Sequence, residues 1–387
     1  MSRDLRFLAA SLFVWGIGEG LFFYFQPLYL QKLGASAETI GAILGAGGLV
    51  LSLSHIPAGA AADRFGRRPV MWASWFTGLT AALVMAAART LTVFTAGLLL
   101  YSLSAFVIAP LNSYITAARG RWSVQRALTL ISASFNAGAV LGSLAGGRLG
   151  QWLGLESIYR VAAGLFVVSV VLVLFIRPQP RVAAPQQQET GSTRANARRF
   201  RPRFWAFLAF VFVVMLVLYL PQPLAPNFLR DVRHTSLGNI GLLGALARGG
   251  MVVFSLVLGS FGAWEGFLAA QMLGGLFPLL IWQGSGMVWY GMAYFFVGGY
   301  WASKSLAAAE VRSMVSSEAA MGLAYGLNET VGGLAIFAAS SLAGWLYAAN
   351  PEAPLRWSVL ALPLILLGNV PFHPRWRGKP REGEAAG

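Results

Sequence analysis

Glu19 stands in 14-VWGIGEGLFFYFQPLYL-30, among some of the most apolar residues of the chain. Three further ionisable residues, Arg248, Lys304 and Glu329, stand in similarly apolar surroundings. A carboxylate in such a place either neutralises a cation or takes up and returns a proton, because burial penalises its charged form and a nearby cation favours it. Two acids and two bases balance, and the neutrality points to pairing, since an unpaired buried ion is costly. Polar and aromatic groups at similar levels are candidates to complete a binding site: Tyr24, Gln26, Tyr101, Asn112, Asn136, Tyr219, Gln222, Tyr294, Trp301 and Asn328.

The elements that must position these groups are membrane helices. Of 387 residues, 57% are hydrophobic and 11% charged, with a mean hydropathy of +0.63. A soluble domain carries about a quarter charged residues. A window of about 20 residues, the hydrocarbon thickness divided by helical rise, gives twelve spans, near 7–31, 38–62, 69–88, 91–117, 125–147, 157–177, 203–228, 237–261, 265–283, 286–309, 314–346 and 356–371. The expected fold is an all-α integral membrane protein of two pseudo-symmetric six-helix bundles, residues 1–177 and 203–374. A flexible Pro-, Gln- and Arg-rich linker, 178–202, joins them, and a basic tail, 375–387, follows.

The net charge of +15 is distributed by side. With the N-terminus inside the cell, 20 of the 29 Lys and Arg fall in cytoplasmic loops or termini, seven fall outside, and Arg248 and Lys304 lie within spans. That asymmetry is the positive-inside rule, and it predicts a multi-pass protein of the cell membrane with both termini cytoplasmic. The charges are spread over several loops without an aromatic-rich soluble module, so nucleic acid is not an expected partner.

The halves repeat. Gln26-Pro27-Leu28 recurs as Gln222-Pro223-Leu224, Ile40-Gly41 as Ile240-Gly241, Asn136 as Asn328, and Gly150-Gln151-Trp152 parallels Ala343-Gly344-Trp345. Parallel repeats with a site at their interface, near the bilayer midplane, are the architecture of many secondary transporters.

The loop 59-GAAADRFGRR-68 carries Gly59, Asp63, Arg64, Gly66, Arg67 and Arg68 in a fixed spacing. It resembles the hallmark loop of the major facilitator superfamily, Gly-x-x-x-Asp-Arg-x-Gly-Arg-Arg. Asp63 is expected to cap the start of the third helix and to organise the arginines as a gate latch, and Gly66 to permit the tight turn. The equivalent loop of the second half, 259-GSFGAWEG-266, keeps only Glu265. In the fifth helix, 138-GAVLGSLAGG-147 is similar to the family's glycine-rich antiporter motif, with Gly138, Gly142, Gly146 and Gly147 matching and Ser143 in place of the proline. Small residues at this spacing are expected to pack the helix closely against one of the other half. The fourth helix has no arginine where the family's drug:proton antiporters typically carry one. In the family, helices 1, 4, 7 and 10 line the central cavity, so the resemblance implies that Glu19 faces substrate.

Other chemistries lack their residues. There are no cysteines and three scattered histidines, His55, His234 and His373, so neither a thiol nucleophile nor a zinc site is expected. The segment 298-GGYWASKS-305 has Ser303 where a phosphate-binding loop needs its second glycine, and it lies in an apolar helix with no preceding strand. The sequence thus predicts no enzyme and no cofactor. It predicts a monomeric secondary transporter coupling protons to export of lipophilic or amphipathic small molecules. The alternatives are a symporter or exchanger of an anionic or sugar-like metabolite, favoured if Arg248 and Lys304 face the cavity unpaired, and a membrane receptor that moves nothing.

Overall fold

The computed structural model describes residues 2–178, 200, 202–315 and 318–373; at 55–60, 63, 109 and 318–322 it describes the backbone alone. The bundle helices are α1 (Arg3–Lys32), α2 (Ala37–Phe65), α3 (Arg67–Ala87), α4 (Leu91–Ala118), α5 (Val124–Leu153) and α6 (Leu155–Leu174). The second half holds α7 in two segments (Pro202–Tyr219 and Ala225–Asp231), α8 (Leu237–Leu258), α9 (Ala263–Gln283), α10 in two segments (Met287–Phe296 and Gly298–Ser313), α11 (Glu318–Ala349) and α12 (Ala353–Phe372). Eleven stretches within these helices are long and apolar enough to cross a bilayer as single spans. The twelfth, α10, reaches that length only as two segments end to end.

Local chemistry sets the helix ends. Ser2, Ser36, Thr90, Ser123 and Ser236 cap α1, α2, α4, α5 and α8 by accepting from a free backbone N–H in the first turn. Ser36 and Ser236 precede the repeated Ile40-Gly41 and Ile240-Gly241, so the duplication extends to the caps. Gly66 turns the chain between α2 and α3 with φ +91°, a left-handed conformation that favours glycine. It also occupies the N-cap position of α3, with no side-chain cap. Asp63, the expected cap, does not stand at that position. It lies in the last turn of α2, because nothing interrupts that helix before Gly66.

Each half holds its own core and a buried polar lock. In the first half Ser11 of α1 and Ser169 of α6 exchange hydrogen bonds of 2.8 Å through their hydroxyls and carbonyls, and the Trp75 indole of α3 donates to both hydroxyls at 3.0 and 3.1 Å. In the second, Gln271 of α9 and Asn369 of α12 pair their amides reciprocally at 3.0 and 2.9 Å. All five residues are buried. Satisfied buried networks of this kind fix one packing arrangement, since any other leaves polar groups unpaired.

The halves meet along two related seams. On one, Gly41 of α2 lies against Ser340 and Gly344 of α11; on the other, Gly241 of α8 lies against Ser143 and Gly147 of α5. At Gly41 and Gly241 a β-carbon would overlap backbone of the opposing helix, so glycine is what lets the helices close. Both contacts lie toward the far end of the bundle, the end away from the termini. The helix 5 motif divides its work differently from the expectation. Gly138, Gly142 and Gly146 face the carbonyls of Phe13, Ile17 and Leu21 of α1, within the same half, and Gly147 alone of the four meets the other half, at Leu237 and Gly238. A four-residue spacing keeps three glycines on one helical face, and Gly147 is turned about 100° from Gly146.

Candidate functional site

Glu19 lies midway along α1, on the face it shares with Trp15 and Phe23 one turn to either side. Its carboxylate is held from two directions. The Arg248 guanidinium of α8 donates from Nη2 to Oε1 at 2.8 Å, and the Tyr101 hydroxyl of α4 donates to Oε2 at 2.7 Å. The Trp15 indole donates to the Tyr101 oxygen at 3.3 Å, while Trp15 itself stacks on Phe166 with ring centroids 4.1 Å apart. Arg248 also lies 4.9 Å from the Phe23 ring and 5.8 Å from Phe135 of α5, contacts that favour a cation over the aromatic faces. The side chains of Arg248 and Glu19 are 10% and 16% exposed, so this charge pair, which joins the two halves, is largely withdrawn from solvent.

The second pair lies within the second half. Lys304 of α10 meets Glu329 of α11 at 2.9 Å, with side-chain exposures of 21% and 40%. Glu329 adjoins the other seam, for its backbone carbonyl accepts from Ser52 of α2 at 2.9 Å. Exposed pairs contribute about 1 kcal/mol or less. Glu329→Gln is therefore expected to leave the melting temperature of the purified protein near the parental value, whereas loss of Glu19 lowers it markedly. Equal drops in the two variants would contradict this ranking.

The remaining candidates divide between these clusters and other places. Tyr24 packs on α8 at Gly244, one turn from Arg248, with its ring 6.1 Å from that of Tyr294. Tyr219 lies 5.2 Å from Tyr300, which in turn lies 5.3 Å from Trp301, one turn before Lys304. Asn136 and Asn328 are buried, and each keeps a side-chain oxygen with no partner among the described residues. Gln222 turns back to the Leu218 carbonyl at 2.9 Å, which accounts for it as a local cap. Gln26 begins the last segment of α1 and is half-buried, and Asn112 is exposed on α4. Neither is drawn into a cluster by the contacts observed. Of the gate motif, Arg68 stacks on Trp72 at 3.9 Å and Arg64 lies 5.3 Å from Phe65. The side chains of Gly59, Asp63 and His55 lie outside the described residues, as do most of the linker and the whole tail after residue 374.

Sequence reading missed four participants. Trp15 and Phe23 carry the signal of i±4 spacing from Glu19, and Phe135 adjoins the candidate Asn136. Glu310 is buried near the end of α10, beyond the predicted limit at residue 309, and is not one of the four ionisable residues expected within the spans. Its setting, 307-AAAEVRS-313, reads as a helix leaving the bilayer, which hides the burial.

The sequence model described as Major Facilitator Superfamily matches residues 8–340. Multidrug resistance protein MdtG of Citrobacter koseri is 28% identical over 180 residues, covering 45% of this chain and 44% of that protein. The class C tetracycline resistance protein of Escherichia coli is 31% identical over 163 residues, covering 41% of each. The chain thus spans under half the length of the curated relatives it matches. Among solved structures, the nucleoside transporter NupG superposes with a TM-score of 0.78 at 13% identity, over 97% of this chain and 100% of that one. The human organic anion transporter MFSD10 gives 0.63 at 18% identity, over 95% and 99%. At such identities the structures speak for the fold, and it is the fold of two six-helix bundles described above. With a family model matching most of its length, the chain belongs to the major facilitator superfamily.

Proposed function

We propose that the chain is a secondary transporter of the cell membrane that works as a monomer and exports lipophilic or amphipathic small molecules in exchange for protons. The observation that carries the reading is the Glu19–Arg248 pair, a titratable carboxylate bonded across the two halves that must move relative to each other. Proton uptake by Glu19 discharges the carboxylate and weakens its hold on Arg248; proton release restores the bond. One site thereby couples protonation to the freedom of the halves to rock, which is what exchange by alternating access needs. Support for the cargo class comes from relatives named for multidrug and tetracycline resistance. The metabolite symporter reading wants Arg248 and Lys304 unpaired, and each has an acid at 2.8 or 2.9 Å.

Reconstituted protein in sealed vesicles tests the proposal. A lipophilic dye is expected to move against an imposed pH gradient and to stop when the gradient is collapsed. Flux indifferent to the gradient removes proton coupling, and ligand binding without flux of any solute leaves a receptor.

The same reading places the termini and the 178–202 segment in the cytoplasm, on the side where the arginines gather. Trypsin is expected to cut at Arg181, Arg194, Arg198 or Arg199 in inverted vesicles and to leave right-side-out vesicles intact. Cleavage from the outside of sealed cells reverses the topology.

A further inference from the structure

At the far end of the bundle the last turn of α1 faces the short second segment of α7. The Gln31 side-chain amide donates to Asp231 Oδ2 at 2.8 Å and accepts at Oε1 from the Asn227 amide at 2.6 Å. Asn227 also reaches the Pro27 carbonyl at 3.4 Å. These contacts join opposite halves, and they join repeat mates. The offset of 196 that relates Gln26-Pro27-Leu28 to Gln222-Pro223-Leu224 also relates Gln31 to Asn227. The two amides therefore meet where the pseudo-two-fold relation brings a position onto its own equivalent, as residues do at an isologous contact. Asp231 breaks the symmetry, because the residue at its equivalent position is Ala35.

Around this contact each half is braced within itself. Lys32 is bound to Glu156 at 2.6 Å in the first half. In the second, Arg233 donates to the Trp282 carbonyl at 2.7 Å, and the Trp282 indole donates to Glu352 at 3.3 Å. Rocking of the halves thus leaves those bonds intact and stretches the amide contact between them. The contact is also incompletely satisfied: Asn227 is buried, its nitrogen serves two acceptors, and its oxygen has no partner among the described residues. Turning the amide over does not help, since both neighbours are acceptors. An unpaired buried acceptor costs free energy in the closed arrangement that water returns when the contact opens.

We propose that Gln31, Asn227 and Asp231 form a clasp that holds the far end shut and opens once in each transport cycle. The proposal rests on the transport reading for its cycle, while the clasp itself is testable without flux. Because the chain has no cysteine, introduced thiols are the only ones present. Spin labels on Trp152→Cys and Trp357→Cys, exposed positions in opposite halves, report the width of the far end. Gln31→Ala or Asn227→Ala is expected to enlarge the wide-distance population by about fivefold, the effect of losing one net hydrogen bond. An unchanged distribution overturns the clasp. In a second arm, oxidation of Gln31→Cys/Asn227→Cys is expected to link the halves of the far end and to stop gradient-driven dye flux, which reductant restores. Failure to cross-link, or undiminished flux in the linked protein, also overturns it. If the parent chain moves no solute but the labels separate as expected, the clasp stands and the transport reading falls.

Discussion

Purified Glu19→Gln protein is expected to lose pH-gradient-driven flux and, at the same time, to melt at a lower temperature. Both effects follow from the two bonds on the carboxylate. Glutamine cannot titrate, so a proton carried by Glu19 has no replacement. Glutamine also cannot serve both donors equally: one side-chain oxygen can accept from Arg248 or from Tyr101, and the amide nitrogen then confronts the other. Arg248 is left a buried cation without its counter-ion, a change that costs about 3 kcal/mol or more. Arg248→Gln in the same chain removes the orphaned charge, so the double variant should regain stability without regaining flux. Parental flux in Glu19→Gln would exclude this carboxylate as the proton carrier. A parental melting temperature would mean that the charge pair contributes nothing to the fold.

The second large effect concerns glycines that look alike in sequence. Gly142→Ala places a β-carbon on the Ile17 carbonyl and near Gly20 of α1, inside the first half. Backbone cannot yield as a side-chain tip does, so α1 must part from α5, and overpacking of this kind costs about 1 to 3 kcal/mol. Poor expression and a lower melting temperature are expected. Gly241→Ala meets equally close backbone, the carbonyl of Ser143 and the Cα of Gly147, but across the seam between halves. Here a rigid-body shift relieves the overlap, so the halves stay folded while the far end widens. Thermal stability and the spin-label distance separate the cases: Gly142→Ala moves the first and Gly241→Ala the second. Identical behaviour of the two variants would show that the seam is no more compliant than the core of one half.

Much of this arrangement is legible in the sequence for a simple reason. Hydropathy reports the solvent around a segment, and the cost of a charge in hydrocarbon makes Glu19, Arg248, Lys304 and Glu329 stand out. The repeat gives the relation between halves, as in Gln26-Pro27-Leu28 and Gln222-Pro223-Leu224. Partner choice is less legible, because it depends on which face of each helix meets which neighbour. Nothing in the run around Arg248 says that it turns toward Glu19 on α1 rather than Glu329 on α11. The helix 5 glycines show the same limit, since spacing tells which residues share a face but not what that face touches. The breaks in α7 and α10 were also invisible to a hydropathy window, which reads through Tyr219–Leu224 and Val297 as continuous apolar chain.

The two buried polar locks bear on how such a chain is assembled during synthesis. Ser11 and Trp75 belong to helices made early and bond each other, but Ser169, which completes their network, belongs to α6, the last helix of its half. Gln271 likewise waits for Asn369, at the end of α12. Each lock closes only when its half has been fully threaded into the bilayer, and neither draws on the other half. Each half can thus satisfy its own lock as soon as its last helix is in place, whereas Glu19 of α1 waits for Arg248 of α8, in the other half.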